Sequence, residues 1–256
     1  FLPLPESSGD LLKICNPSPH HFGIMFRLIS NFLLVAACFA GSLSAATESK
    51  TVGVRALLLV PAGPVVKLHP LSGGVAGDAV QIGARGLSDP FKPSTREFSL
   101  AVPDAKQESG FRAVANVSLP AEGKDFIILL EPAKDSYKVH VVNGRESRFS
   151  ADSVLFFNAS DITLGATLGA SKVLIKPRVA VFAKAPPRGE KPYYQVTFYE
   201  PDDGKARPFA NTRWSHQEGS RCYVFFYRSS AAGHLTYQAV DEDLRPVASA
   251  PTSANP

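Results

Sequence analysis

The sequence predicts an all-β fold: an antiparallel β-sandwich, organised as two tandem immunoglobulin-like sandwiches and preceded by the helix of a signal peptide. Three observations predict it. From residue 50 onward no long stretch repeats its apolar residues at the 3.6-residue period of a helix. Short runs of Val, Ile, Phe and Tyr recur instead, roughly one per dozen residues, each closed by Pro, Gly, Asp or Asn. A polar break, "NGRESRFSAD" (143–152), divides these runs into halves close to the length of an immunoglobulin-like domain. Residues 50–145 and 150–245 are therefore expected to be the first and second sandwich domains, with one larger sandwich as the competing arrangement. No internal sequence repeat is evident. Residues 246–256, rich in small residues and Pro, are expected to form a disordered tail.

The strand candidates follow in order. "TVGVRALLLV" (51–60) comes first, then "VVKLHP", "DAVQIGA", "REFSLAV" (96–102) and "FRAVANVSL" (111–119). "DFIILLE" (125–131) and "YKVHVV" (137–142) read as a pair joined across Pro132 to Ser136. After the break come "SVLFFNA", "ITLGATL", "SKVLIKP", "RVAVFAK", "YYQVTFYE", "RCYVFFYR" and "HLTYQAV". "FIILLE" and "YVFFY" are apolar on both parities, which places them in sheet centres covered on both faces. Phe126, Ile128, Leu130, Val154, Phe156, Val224 and Phe226 are the expected core. Asp203-Gly204 is a type I′ hairpin signal. Pro177 marks an edge or a bend between two strands.

The chain's one methionine, Met25, stands ahead of an apolar run. From there the sequence has the parts of a secretory signal peptide: Arg27, the apolar stretch Leu28 to Ala40, and small residues with Ser44 and Ala46 at the −3 and −1 positions. Residues 25–46 are expected to be removed after Ala46, which leaves no transmembrane span, since a bilayer needs ~20 apolar residues. Residues 1–24 read as a disordered, non-native upstream segment, and their His20-His21 pair lacks further metal ligands. Export to the periplasm or the cell exterior is the expectation. "VAAC" offers a second one, a lipoprotein anchored at Cys38. With Cys15 and Cys38 ahead of the cut, Cys222 is left without an internal disulfide partner and reads as a buried, inert thiol.

Composition and motifs exclude several classes. The net charge of +4 is too mild to indicate nucleic acid. His69, His140, His216 and His234 stand at no metal-ligand spacing, and no nucleophile-elbow or phosphate-loop motif is present, so no cofactor or metal is called for. Asn116 and Asn158 match the glycosylation sequon by pattern alone. Glu200, Asp202, Asp203, Glu218 and Asp241 to Asp243 are the candidate carboxylates for a glycoside-type hydrolase, which needs two of them facing across a cleft.

The richest stretch is "YYQVTFYEPDDGKARPFANTRWSHQEGSRCYVFFYR" (193–228), with the single tryptophan. Tyr193, Tyr199, Arg213, Trp214 and His216 are the candidate ligand-binding residues, an aromatic and basic surface suited to stacking on sugar rings. The alternative is a core Trp214 covered by arginine stems. A second candidate is a basic stripe. Lys172, Lys176, Arg178 and Lys184 share a parity, and residues 170–230 carry 11 Lys and Arg against 5 Asp and Glu. If Pro177 bends the chain without reversing it, the four line one face that attracts anionic polymers.

"SVLFFNASDITLGATLGASKVLIKP" with "YYQVTFYE" and "RPFANTRWSHQEGSRCYVFFYR" resembles a loosely defined group of exported bacterial β-sandwich proteins, over residues 150–240. The resemblance implies the sandwich layout and carries over no catalytic residue. Together these readings predict an exported, non-enzymatic binding or scaffolding protein of the cell envelope, with envelope polysaccharide or another exported protein as its partner. The rival classes are the paired-carboxylate hydrolase and a purely structural module that pairs through an edge strand.

Overall fold

A computed structural model describes residues 52–245, apart from 62, 146, 148 and 230–232. The upstream segment, the signal peptide with Cys38 and Ala46, and the tail 246–256 lie outside the described residues. The first half supplies β1 (Gly53–Leu58), β2 (Val66–Ser72), β3 (Val75–Ala76), β4 (Val80–Ile82), β5 (Glu97–Pro103), β6 (Phe111–Ser118), β7 (Asp125–Pro132) and β8 (Tyr137–Asn143). The second supplies β9 (Ser153–Asn158), β10 (Leu164–Leu168), β11 (Ser171–Ile175), β12 (Ala180–Lys184), β13 (Tyr193–Asp202), β14 (Lys205–Ser215), β15 (Ser220–Arg228) and β16 (Leu235–Asp243). Among the described residues there is no helix; the fold is an all-β sandwich.

The strands form four sheets: β3-β2-β5-β6 with β4 beside β2, then β1-β7-β8, β12-β9-β15-β16 and β11-β10-β13-β14. Three apolar layers separate them. The first joins the two sheets of the first half through Val54, Leu100, Ile128 and Leu130. The third joins the two sheets of the second half through Val154, Phe156, Phe198, Val224 and Phe226. Between them lies a layer made by both halves, with Leu57, Ile127 and Leu129 facing Leu155, Phe157, Tyr223 and Phe225. The period of two explains this stacking. Successive side chains on a strand point to opposite faces. β7 therefore sends Phe126, Ile128 and Leu130 one way and Ile127 and Leu129 the other. β15 does the same with Val224 and Phe226 against Tyr223, Phe225 and Tyr227. The unbroken apolar runs are strands buried on both faces. All seven core residues expected from the sequence are buried.

The halves share a topology that their sequences conceal. The first strand of each runs parallel to a later one, β1 to β7 and β9 to β15. These are departures from an antiparallel plan. A parallel pair needs a long crossover, which the intervening strands in the facing sheet provide. Both halves then close with two hairpins, β5-β6 and β7-β8 in one, β13-β14 and β15-β16 in the other. Even the register shift recurs, at Leu100/Ala101 and at Phe198/Tyr199. The halves differ at the fourth strand: β4 pairs with β2, whereas β12 pairs with β9. At the end of β9, Asn158 is fully buried; its amide donates to the carbonyls of Ile162 (2.7 Å) and Ile175 (3.2 Å), and its Oδ1 accepts from Ser160 N (3.0 Å).

Polar contacts bracket the middle layer. On β1, Arg55 donates to Glu242 Oε1 of β16 (2.7 Å) and to the Tyr223 hydroxyl of β15 (3.0 Å). Arg221 and Tyr223 both donate to Glu242 Oε2, at 2.8 and 2.5 Å. Burial disfavours the Glu242 charge, but the bonds from Tyr223 and Arg221 and the charge of Arg55 outweigh it and hold the carboxyl below its ordinary value. Burial, reinforced by the bond to Glu242, pushes the Tyr223 phenol up to about 12. On the other side of β7, His140 of β8 is buried against Phe157, with ring centroids 6.2 Å apart. Arg178 Nη1 lies 2.7 Å from His140 Nδ1, and His140 Nε2 lies 2.9 Å from Glu131 Oε2. A guanidinium only donates, so Nδ1 accepts and Nε2–H donates to the carboxylate. Burial and the Arg178 charge lower the His140 pKa from 6.5 against the pull of Glu131.

Two outcomes are expected. Phe225→Ala removes a large side chain from the middle layer and should cost about 3–5 kcal/mol in urea unfolding, as much as Phe226→Ala in the third layer; an unaltered midpoint for Phe225→Ala would contradict the layer. The second concerns pH. Folding lowers the His140 pKa, so the unfolded chain binds the extra proton first. The stability that neutral His140 contributes is complete above its unfolded value of 6.5 and declines as pH falls below it. Urea midpoints measured between about pH 7.5 and 5.5 should drop in the wild type and drop less in His140→Gln. Equal pH slopes in both would contradict the assignment.

Candidate functional site

The hairpin β13-β14 carries the residues singled out from the sequence. Its turn is the expected type I′: Asp203 (φ 46°) and Gly204 (φ 76°) form a two-residue loop between the paired Asp202 and Lys205. Register then fixes which side chains share a face. Tyr193 opposes Ser215, Tyr194 opposes Trp214 and Gln195 opposes Arg213. Directly opposed residues point to the same side. Trp214 therefore turns inward with Tyr194, into the third apolar layer, 6.2 Å from Tyr194 and 6.1 Å from Phe198. Arg213 turns outward and its guanidinium lies 5.1 Å from the Tyr193 ring. Tyr199 is also outward, but six residues along β13, about 20 Å from Tyr193. The five candidate ligand residues thus divide between two faces of the sheet. Tyr193, Arg213 and Tyr199 lie outside, and Trp214 and His216 belong to the inner side at the strand end.

At that end the two sheets of the second half part and leave a cleft of about 440 Å³. Trp214, Tyr194 and His216 supply its aromatic wall, with the Tyr194 and His216 ring centroids 5.0 Å apart. Arg188 and Glu218 pair at the rim (3.4 Å), and Gln217 Nε2 donates to Asp241 Oδ2 (3.5 Å). Arg213 borders the cleft too, although its guanidinium lies over Tyr193 on the outer face. At its base, burial and the neighbouring Asp241 carboxylate push the Cys222 thiol far above its ordinary value, and burial does the same to the Tyr194 phenol. Both shifts favour the neutral form. The cleft is an aromatic pocket rimmed by fixed charges of both signs. Among the described residues no group of three His, Cys, Asp or Glu side chains could hold a metal ion.

The two candidate glutamates stand at opposite ends of the hairpin, whereas Glu218 and Asp241 both line the cleft. Glu200 lies near the turn end of the hairpin, bound to Arg207 at 2.5 Å, and Arg207 also reaches Asp202 at 3.3 Å. Glu218 lies beyond the opposite end, at the cleft rim. The basic stripe is also redistributed, because the chain reverses between β11 and β12 and the two strands enter different sheets. Lys172 stands on β11, while Lys184 on β12 donates to Ser150 Oγ (2.7 Å) and the Ala151 carbonyl (3.0 Å). Arg178 takes the left-handed conformation (φ 60°) in the connection and binds Asp161 (3.0 Å) as well as His140. Lys176 is exposed in the same connection. The four do not form a single face.

Sequence reasoning missed β14, whose exposed and half-buried residues and central Pro208 hide it among loop-like signals. The signal that finds it is Asp203-Gly204: a type I′ turn joins two strands, so β13 requires a mirror partner. Tyr194, on the parity assigned to the core, was missed as a wall of the cleft.

Cys222, expected to be buried, is half-buried at the cleft, and it provides a check on the cleft's interior. Peptide-level mass spectrometry after alkylation at neutral pH should find it unmodified in the native protein and modified after unfolding in urea. Rapid native alkylation would mean that the thiol is not held in its protonated form as described.

No protein-family model matches the chain, and no curated protein matches it significantly. Among solved structures, a Bacteroides uniformis protein described as a "putative cell adhesion protein" is similar at 10% identity and a TM-score of 0.23, over 77% of this chain and 100% of the other.

Proposed function

We propose that this chain is an exported, non-enzymatic binding protein of the cell envelope, and that the cleft between the sheets of its second half holds a sugar unit of an envelope polysaccharide. The observation that carries this reading is the placement of Trp214, Tyr194 and His216 on one wall of a cleft of about 440 Å³ whose rim bears Arg188, Glu218, Gln217 and Asp241. Sugar rings stack their C–H faces on aromatic side chains and direct hydroxyls to planar charged and amide groups. The volume lies within the ~300–1,000 Å³ range of small-ligand sites. Export rests on the signal-peptide pattern ahead of residue 47. No helix among the described residues is long and apolar enough to cross a membrane.

Trp214 is the chain's one tryptophan, so its fluorescence reports on the cleft alone. Titration with a panel of neutral and acidic oligosaccharides should change its emission with at least one of them. His216→Ala should weaken that ligand about tenfold, near 1.4 kcal/mol, without moving the melting temperature. A panel that leaves the emission unchanged, or a His216→Ala variant that binds equally well, would sink the cleft as a sugar site.

A further inference from the structure

We propose that the outer face of the sheet β11-β10-β13-β14 carries a second binding site, a groove that takes a chain of acidic sugars. The groove starts from a missing side chain. Gly165 on β10 lies in register between Leu174 on β11 and Tyr199 on β13. The alternating positions Leu164 and Ala166 point inward to the third layer, so position 165 faces out. A glycine between two large side chains on a sheet face leaves a trough along its own strand. Two residues further, Thr167 lies between Lys172 and Thr197 and continues the floor. The groove so formed has a volume of about 650 Å³ and ends beside the β13-β14 turn at Pro201 and Lys205.

Its chemistry differs from that of the cleft. Leu174 is 62% exposed although its neighbours Val173 and Ile175 pack inward, and with Tyr199 it gives the trough two apolar walls. Lys172 and Lys205 line it and make no ion pair or hydrogen bond among the described residues. Glu200 also lines the groove, but Arg207 holds it at 2.5 Å and reaches Asp202 at 3.3 Å, and neither Asp202 nor Asp203 lines the groove. The groove therefore presents two uncompensated cations over an apolar and hydroxyl-bearing floor. The complementary ligand is extended, anionic and weakly amphipathic. A run of uronic acids fits: the sugar faces lie on Tyr199 and Leu174, and the carboxylates meet Lys172 and Lys205. Two residues singled out separately in the sequence, Tyr199 as an aromatic platform and Lys172 as part of a basic stripe, meet here. The site deepens the polysaccharide-binding reading but uses another face, so the two fail independently.

The test is calorimetric titration of the full chain with oligogalacturonate, with neutral dextran oligomers as control, at low and raised salt. Wild type should bind the acidic oligomer, bind it more weakly as salt rises, and not bind dextran through this face. Gly165→Val fills the trough. Its Cβ would meet Tyr199 side-chain carbons at 3.6 and 3.8 Å, ordinary contact distances, so the strand should hold it. This variant should lose the binding, and Lys172→Gln/Lys205→Gln should weaken it about tenfold or more while keeping the wild-type melting temperature. His216→Ala, which alters the cleft wall at the strand end, should leave it unchanged. No binding of oligogalacturonate by wild type, equal affinity in the double lysine variant, or binding of acidic peptides or anionic vesicles in its place would each overturn the proposal.

Discussion

The middle apolar layer is the constraint from which the rest of the molecule follows. β1, β7, β9 and β15 are each covered on both faces, so neither half can complete its inner sheet alone. Stripped of its partner, the first half would expose Leu57, Leu59, Ile127 and Leu129, and the second would expose Leu155, Phe157, Phe225 and the rings of Tyr223 and Tyr227. At ~25 cal/mol per Å² of apolar surface, such a layer outweighs any single polar contact in the protein. The polar groups around it act differently. Arg55 with Tyr223 and Glu242, and Glu131 with His140 and Arg178, pin the two sheets on either side of β7. A continuous apolar face resists sliding weakly, because one apolar contact replaces another. A directed bond has one satisfied geometry, and the desolvated partners make the alternatives costly.

This arrangement decides where ligands can go. The inner sheets are consumed by packing on both sides, which leaves the outer faces and the open ends. The cleft beside Trp214 occupies an end, where the third layer runs out of apolar residues and Tyr194, His216 and Cys222 meet the charged rim. The Gly165 groove occupies an outer face. One sheet thus presents two different chemistries, a mixed-charge aromatic cleft and a cationic trough, because the pleat sends Trp214 and Tyr194 to one side and Tyr199 and Lys172 to the other. Aromatic residues close in sequence are not a surface until register says which face each takes.

The all-β class, most strand positions, the two-faced burial of "FIILL" and "VFFY" and the Asp203-Gly204 turn were legible, because each depends on local pattern alone. The common topology of the halves was not. It resides in which strands pair, and β1 against β7 or β9 against β15 is a choice among distant segments that no period records. The basic stripe is split between two sheets for a related reason. Shared parity holds only along one strand, and the left-handed Arg178 starts a new strand in another sheet. The ligand-binding set divides between two faces by one residue of parity, since Tyr194 and not Tyr193 opposes Trp214. Both polar brackets were invisible, because Arg55 to Glu242 and His140 to Arg178 span the two halves.

The most direct measurement compares residues 50–145 and 150–245, each expressed alone, with residues 50–245, by amide hydrogen exchange of β7 and β15. If the middle layer holds the fold together, these amides are strongly protected in the longer chain and lose most of that protection in either piece. Native-level protection of β15 in residues 150–245 alone would show that the second half needs no partner, and would contradict the central role given to the layer.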